Sequence, residues 1–161
     1  MVRLAVTLTL AASVAGGADI VSAAKLLMPK GAHLVVAEEL DGSFGVVAYD
    51  YRGATTAAAL KWADGGWRRA DGAGVRVSRL EPRPGSTIGR KPAYVHVKIA
   101  ATRVDGPAGV WLDGRQLQLD FAANLEWYYV VRHPRPGRRS VVVFVAAAPR
   151  AKAVAWNFTV R

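Results

Sequence analysis

The chain has 161 residues, of which 52% are hydrophobic, and it carries a formal net charge of +10 with no cysteine. This length and hydrophobic content are enough for a buried core and exclude a disordered chain. The lack of cysteine excludes disulfides, thiolate metal sites and a lipid attached to a processed cysteine.

The N-terminus has the pattern of a secretory signal peptide. Arg3 precedes an apolar run over residues 4–17, and small residues follow it. Signal peptidase sites end in small residues, and three positions fit this rule: after Ala15, after Ala18 and after Ala23. We take the last of these, which makes residues 1–23 the signal peptide.

Two other interpretations of this N-terminal segment stay open. It is a membrane anchor that is retained, or it is a buried first strand or helix of a cytoplasmic protein. Asp19 and Lys25 weigh against an anchor because they interrupt the apolar stretch before it reaches the roughly 20 residues that span a bilayer.

Residues 24–74 show the pattern of a small antiparallel β-meander. Four segments have strand character, at residues 32–39, 43–51, 55–63 and 66–69. Between them lie Asp41-Gly42, Arg52-Gly53 and Asp64-Gly65-Gly66, which supply the positive φ angles of tight hairpin turns. The Gly-rich link at residues 71–74 marks the end of this part.

Residues 75–161 contain about seven short strands and no sustained helical period, which is the spacing of a two-sheet sandwich. Pro82 and Pro84 indicate an edge or crossing strand. Residues 93–101 alternate between apolar and polar side chains, as in a half-buried strand. A hairpin is predicted at Asp113-Gly114, followed by a strand over residues 115–121 with Leu117, Leu119 and Phe121 facing inward.

The order of the motifs in residues 78–161 resembles the immunoglobulin-like (Ig-like) domains of prokaryotic surface proteins. The motifs are Leu-Glu-Pro-Arg-Pro-Gly-Ser-Thr-Ile at 80–88, Pro-Ala-Tyr-Val-His-Val-Lys-Ile at 92–99, Val-Trp-Leu-Asp-Gly at 110–114, Trp-Tyr-Tyr at 127–129, Pro-Gly-Arg-Arg-Ser-Val-Val-Val at 136–143 and Trp-Asn-Phe-Thr-Val at 156–160. The sequence lacks the Asp-x-x-Gly-Asn turn that is common before the last strand. The resemblance implies an all-β fold with an Ig-like antiparallel β-sandwich after the meander, and a surface location.

The positive charge lies in the predicted sandwich. Residues 75–161 hold fifteen Lys and Arg but only five Asp and Glu, which favours an anionic partner, although an arginine-rich proteome gives the same excess without one. One loop concentrates the candidate anion-binding residues, because Arg pairs well with carboxylate, sulfate or phosphate. They are Arg132, His133, Arg135, Arg138 and Arg139. A solvated hairpin tip is the alternative interpretation.

The sequence predicts neither catalysis nor a metal or organic cofactor. His33, His96 and His133 are too widely spaced for a metal-binding pair. No nucleophile elbow or phosphate-binding glycine loop is present. We therefore expect a protein that is not an enzyme.

Two further surface features are candidates for carbohydrate chemistry. Tyr94, Trp111 and Tyr128 are placed on outward strand positions, where they would stack on sugars or, alternatively, pack against the meander. Asn157 opens an Asn-Phe-Thr sequence and is a glycosylation candidate if the neighbouring Trp156 and Phe158 face the core.

Taken together, these patterns predict a secreted or cell-surface, non-catalytic protein with a structural, adhesive or assembly role. Its expected partners are other surface proteins, further copies of itself, or an anionic polysaccharide or envelope surface, and not nucleic acid. A membrane contacts it only through the signal peptide. The alternatives are a carbohydrate-binding module, or a filament subunit whose residues 25–36 add a strand to a neighbour's sheet.

Overall fold

The computed structural model describes residues 19–89, 94–101, 104–123 and 126–161. Within these residues the chain forms one helix, α1 (Ile20–Leu27), and thirteen strands in three sheets. Residues 1–18, which hold Arg3 and the apolar run of the predicted signal peptide, lie outside the described residues. No helix in the described ranges is long and apolar enough to cross a bilayer.

The first sheet, called here the meander sheet, confirms the four predicted strands. Its strands are β1 (His33–Glu39), β2 (Phe44–Tyr51), β3 (Ala54–Ala63) and β4 (Gly66–Arg69), paired antiparallel in chain order. The two-residue turns have positive φ at both positions, with Arg52 at 49° and Gly53 at 82° in one and Asp64 at 51° and Gly65 at 73° in the next. These are the turns whose twist matches a hairpin.

The other two sheets form an antiparallel β-sandwich. The far sheet has the order β10 (Leu119–Ala123), β11 (Glu126–Arg132), β7 (Tyr94–Ala101) and β5 (Val77–Glu81). The central sheet has the order β6 (Thr87–Ile88), β13 (Arg150–Val160), β12 (Gly137–Ala147), β8 (Ala108–Leu112) and β9 (Arg115–Gln116).

This strand order is that of an immunoglobulin fold. In the far sheet, β5, β7, β11 and β10 occupy the places of strands A, B, E and D, and in the central sheet β8, β12 and β13 occupy those of C, F and G. The short β6 pairs parallel with β13. Between β5 and β6 the chain crosses from one sheet to the other at Pro82 and Pro84, as the sequence indicated. The fold is therefore all-β and Ig-like.

The meander sheet makes a third layer, because both faces of the central sheet are covered. Along β12, Val141, Val143 and Val145 pack with the far sheet, whereas Val142 and Phe144 pack with the meander sheet. All of these side chains are buried. This explains why β12 is continuously apolar from Val141 to Ala147 and does not alternate there.

Helix α1 covers part of the opposite face of the meander sheet. Ile20, Ala23 and Ala24 are buried in a small cluster with Val47 and Leu60. A buried first helix was one of the alternatives for the N-terminal segment, but the preferred prediction ended a signal peptide after Ala23, which lies inside α1. The pattern of small residues that resembles a cleavage site also suits a helix lying close against a sheet.

The prediction of one continuous strand over residues 115–121 is wrong. The chain instead leaves the central sheet after Gln116 and enters the far sheet at Leu119, so this stretch forms β9 and β10. Leu117 does pack against the sandwich core. Leu119 and Phe121 are 44% and 48% exposed, because β10 is an edge strand whose side chains do not reach the core.

Candidate anion-binding site

A cleft of about 480 Å³ lies at one edge of the sandwich, between the β8–β9 hairpin of the central sheet and the end of β11 in the far sheet. Its walls carry apolar groups from both sheets, among them Leu112, Leu117 and Val130, and a set of basic side chains. The basic residues are Arg115, Arg132, His133, Arg135 and Arg139. Four of the five predicted anion-binding residues therefore meet in one cleft.

The backbone around His133 brings three of these residues together. Arg132 ends β11, and His133 then takes a positive φ of 50°, which turns the chain sharply. The next residue, Pro134, is buried and anchors the loop, while Arg132 and Arg135 on either side stay exposed. The two guanidinium groups thus flank one tight turn.

Arg139 is held by Asp113 across the cleft. Arg139 Nη1 donates to Asp113 Oδ2 at 2.9 Å, and Arg139 Nη2 donates to the Pro136 carbonyl oxygen at 3.1 Å. Asp113 Oδ1 accepts a hydrogen bond from the Ser140 backbone N–H at 2.9 Å. Asp113 also has a positive φ of 48° in its turn, so the prediction that it is a turn former is confirmed.

Among the described residues, the other three guanidinium groups of the cleft form no ion pair with a carboxylate. Within the described part of the chain, ion pairs join Arg138, Arg139 and Arg150 to aspartates. Arg115, Arg132 and Arg135 take part in none of them. The cleft therefore keeps an excess of positive charge after the Asp113 pair is discounted.

Arg138 does not belong to the cleft, which corrects the prediction of a five-residue cluster. Its Nη2 lies 3.6 Å from Asp50 Oδ1 and donates to Thr55 Oγ1 at 3.4 Å, both in the meander sheet. The reason is strand geometry, since successive residues of β12 point to opposite faces. Arg138 and Arg139 are adjacent in sequence and consequently have different partners.

The prediction of Trp111 as a stacking platform is wrong, because its side chain is fully buried. It lies between the central and meander sheets together with Val36 and Phe144, as in the alternative interpretation of packing against the meander. Tyr128 stacks on Phe121 with ring centroids 4.2 Å apart and an interplanar angle of 8°. The backbone of Tyr94 pairs with Arg132, and its side chain is outside the described part.

Asn157 does point away from the sandwich core, but not into solvent. Trp156 and Phe158 are buried in that core, which is the condition that the glycosylation prediction set for these two neighbours. The Nδ2 atom of Asn157, which a glycan would occupy, donates to Thr55 Oγ1 at 2.8 Å and to the Arg139 carbonyl oxygen at 3.3 Å. Its Oδ1 accepts from the Thr55 backbone N–H at 3.0 Å. The glycosylation prediction is wrong because the meander sheet covers this face.

Sequence reasoning missed Arg115 as a member of the cleft. Arg115 immediately follows the Asp113-Gly114 turn and starts β9, seventeen residues before Arg132 in the chain. A signal existed, because a basic residue beside a predicted hairpin turn would be exposed at the sheet edge. The spatial proximity of Arg115 to Arg132, however, depends on how the central and far sheets pack against each other.

Burial raises the pKa of Tyr129 to about 12. Because this folded-state pKa lies above the unfolded value of about 10, the neutral phenol stabilises the fold fully below pH 10, and this contribution is lost as the pH rises towards 12. We expect a loss of about 2 to 3 kcal/mol in the free energy of unfolding across that range, measured by urea denaturation. Tyr129→Phe should flatten this part of the profile, and equal slopes for both proteins would contradict the assignment.

Among the described side chains, no group of three or more His, Asp or Glu residues has an arrangement that could hold a metal ion. His133 lies at the rim of the basic cleft and not in a carboxylate cluster. The His96 side chain is outside the described part.

No protein-family model and no curated protein matches this sequence. Among solved structures, the chain is similar to an endo-beta-1,4-mannanase from Thermotoga petrophila, with a TM-score of 0.47 and 10% identity over 56% of this chain. It spans only 20% of that chain. It is also similar to the titin M3 domain, with a TM-score of 0.42 and 11% identity over 54% of this chain and 96% of that one.

A further similar structure is the titin Ig tandem A164-A165, with a TM-score of 0.40 and 7% identity over 75% of this chain and 63% of that one. The Ig-like assignment made above rests on the strand order and pairing of the chain itself.

Proposed function

We propose that this chain is a secreted or cell-surface, non-catalytic Ig-like protein that holds an anionic polysaccharide in its basic cleft. The observation that carries the proposal is the meeting of Arg115, Arg132, Arg135 and Arg139 around a cleft of about 480 Å³. A volume of this size is within the range of small-ligand sites and would take a short stretch of a sugar chain.

The chemistry of the cleft suits a carboxylated or sulfated sugar. A planar guanidinium group pairs bidentately with carboxylate or sulfate oxygens, and it does so better than an ammonium group. The apolar walls at Leu117 and Val130 offer contact to the C–H faces of sugar rings. The rim arginines are exposed, so each contact is individually weak and several repeated charges on a polymer are needed for useful affinity.

The two alternative functions have less support. Stacking on Trp111 would require it to leave a fully buried position. In the filament hypothesis residues 25–36 leave their own domain, but here Lys25 is in α1 and β1 is paired along its length with β2 in the same chain. The cleft needs no such rearrangement before it can bind.

The proposal is tested by measuring the affinity of the purified protein for polyuronate by titration calorimetry at 20 and 200 mM NaCl. We expect binding that weakens strongly with salt, because exposed charges are screened over about a Debye length. We expect the double variant Arg132→Ala/Arg135→Ala to bind about tenfold more weakly or worse at low salt.

A matched control is Arg68→Ala/Arg69→Ala, which removes the same charge from exposed positions of β4. It should bind polyuronate nearly as well as the unaltered protein. Equal weakening in both double variants would show that only net charge matters and would refute the cleft. Affinity that does not change with salt, or tight binding of an acidic protein but not of polyuronate, would refute the polysaccharide partner.

A further inference from the structure

Helix α1 is built into the folded domain. Its N-cap is Asp19, whose Oδ1 accepts a hydrogen bond from the Ser22 backbone N–H at 2.7 Å. This hydrogen bond also lowers the pKa of Asp19. A capping side chain satisfies one of the backbone donors that an isolated helix start leaves without a partner. Asp19 is therefore part of the helix start, and the helix itself begins at Ile20.

The meander sheet has a space shaped for the first residue of this helix. Ile20 is 9% exposed and packs over Gly45 of β2, where a Cβ atom would overlap with the Ile20 Cδ1 atom. Ala24 is fully buried, and Val47 and Leu60 complete the cluster. Because Gly45 has no side chain, it leaves room for the Ile20 side chain, which packs directly against the β2 backbone.

Cleavage after Ala23 would divide this element. It would remove the Asp19 cap together with Ile20 and Ala23, and leave only four of the eight helical residues. A helix that short is unstable in water without tertiary packing, and here most of its buried contacts would be lost. The cut would also expose the apolar surface of Val47 and Leu60.

We propose that export processing cuts the chain at or before the Ala18–Asp19 bond, so that α1 is the first element of the mature domain and not the end of the leader. Small residues at Gly16, Gly17 and Ala18 supply a suitable cleavage sequence directly before the cap. This inference rests on the export that is part of the proposed function.

The first experiment is N-terminal sequencing and intact-mass analysis of the protein recovered from the envelope or medium of cells that express the full chain. A first residue at Gly16 or Asp19 supports the inference. A first residue at Ala24 overturns it and leaves export intact. Protein recovered from the envelope or medium that still retains residues 1–18 overturns the inference as well. Unprocessed protein found in the cytosol overturns both the inference and the proposed export.

The second experiment compares two variants of the same helix in the exported protein. Ile20→Ala should lower the melting temperature by about 5 to 15 °C, because it empties the space over Gly45. Leu26→Ala is the matched control, since Leu26 is 87% exposed, and it should change the melting temperature little. If Ile20→Ala prevents recovery, the milder Ile20→Val should show a smaller decrease. Melting temperatures equal to that of the unaltered protein for both Ile20 variants would refute the inference, because Ile20 would then be absent from the mature chain.

Discussion

Replacing Trp111 with alanine should lower the free energy of unfolding by about 3 to 5 kcal/mol, which is the usual cost of removing a fully buried aromatic side chain. The indole has no solvent exposure and lies between the central and meander sheets. Its ring covers Gly109, where a Cβ atom would come within 2.6 Å of Trp111 Cη2. The loss is measured by urea denaturation followed by far-UV circular dichroism.

Two comparisons make the Trp111 result specific. Trp111→Phe should cost less than about 1.5 kcal/mol, because it keeps an aromatic ring and removes an indole N–H that is buried without a hydrogen-bond partner among the described residues. Gly109→Ala should destabilise the protein through the overlap with the same ring. If Trp111→Ala weakened sugar binding while stability stayed unchanged, the indole would have to be exposed, contrary to the structure.

Replacing Asn157 with alanine should lower the free energy of unfolding by about 2 to 3 kcal/mol. The side chain makes hydrogen bonds with both Thr55 and Arg139, and so joins the start of β3 in the meander sheet to the central sheet. Its loss leaves the backbone N–H of Thr55, a residue only 7% exposed, without this acceptor. Urea denaturation measures the effect, and amide hydrogen exchange at Thr55 should increase.

Thr159→Ala is the matched control for Asn157, because it destroys the Asn-Phe-Thr sequence without touching the amide. We expect it to change stability by less than 1 kcal/mol, since the Thr159 backbone keeps its pairing with Arg138. A mass decrease of glycan size in both variants would contradict the assignment. A glycan on Asn157 would replace one of the two Nδ2 hydrogens, whereas this atom donates to both Thr55 Oγ1 and the Arg139 carbonyl oxygen.

The strands were the most predictable part of the fold, and the turns explain why. Residues such as Asp64 and Gly65 adopt positive φ readily, and they identify hairpin turns from two residues alone. The strands on either side then follow from the apolar and β-branched residues between turns. The preferred prediction missed helix α1 because its eight residues are mostly small and apolar, a composition that also fits the end of a leader.

The errors at Trp111 and Asn157 have one common cause. Both residues lie on the face of the central sheet that is turned away from the sandwich core, and the alternation of side chains placed them there correctly. Alternation says which face a side chain is on, but it does not say whether another layer covers that face. The meander sheet covers it, so an expected solvent surface is an interior.

The residues of the candidate cleft were also only partly predictable from the sequence. Arg132, His133 and Arg135 are near one another because they are close in the chain. The separation of Arg138 from Arg139 follows from strand alternation and could have been predicted once β12 was recognised. The contribution of Arg115 could not, because it depends on the packing of the β8–β9 hairpin opposite the end of β11.

By itself the sequence determined the β class, the positions of the hairpins and the concentration of positive charge in residues 75–161. These properties depend on backbone preferences and side chains within a few residues of one another. The tertiary structure alone decided that Trp111 is interior, that Asn157 joins two layers and that Arg115 meets Arg132. Burial and proximity of this kind arise from contacts between residues far apart in the chain, which local patterns do not encode.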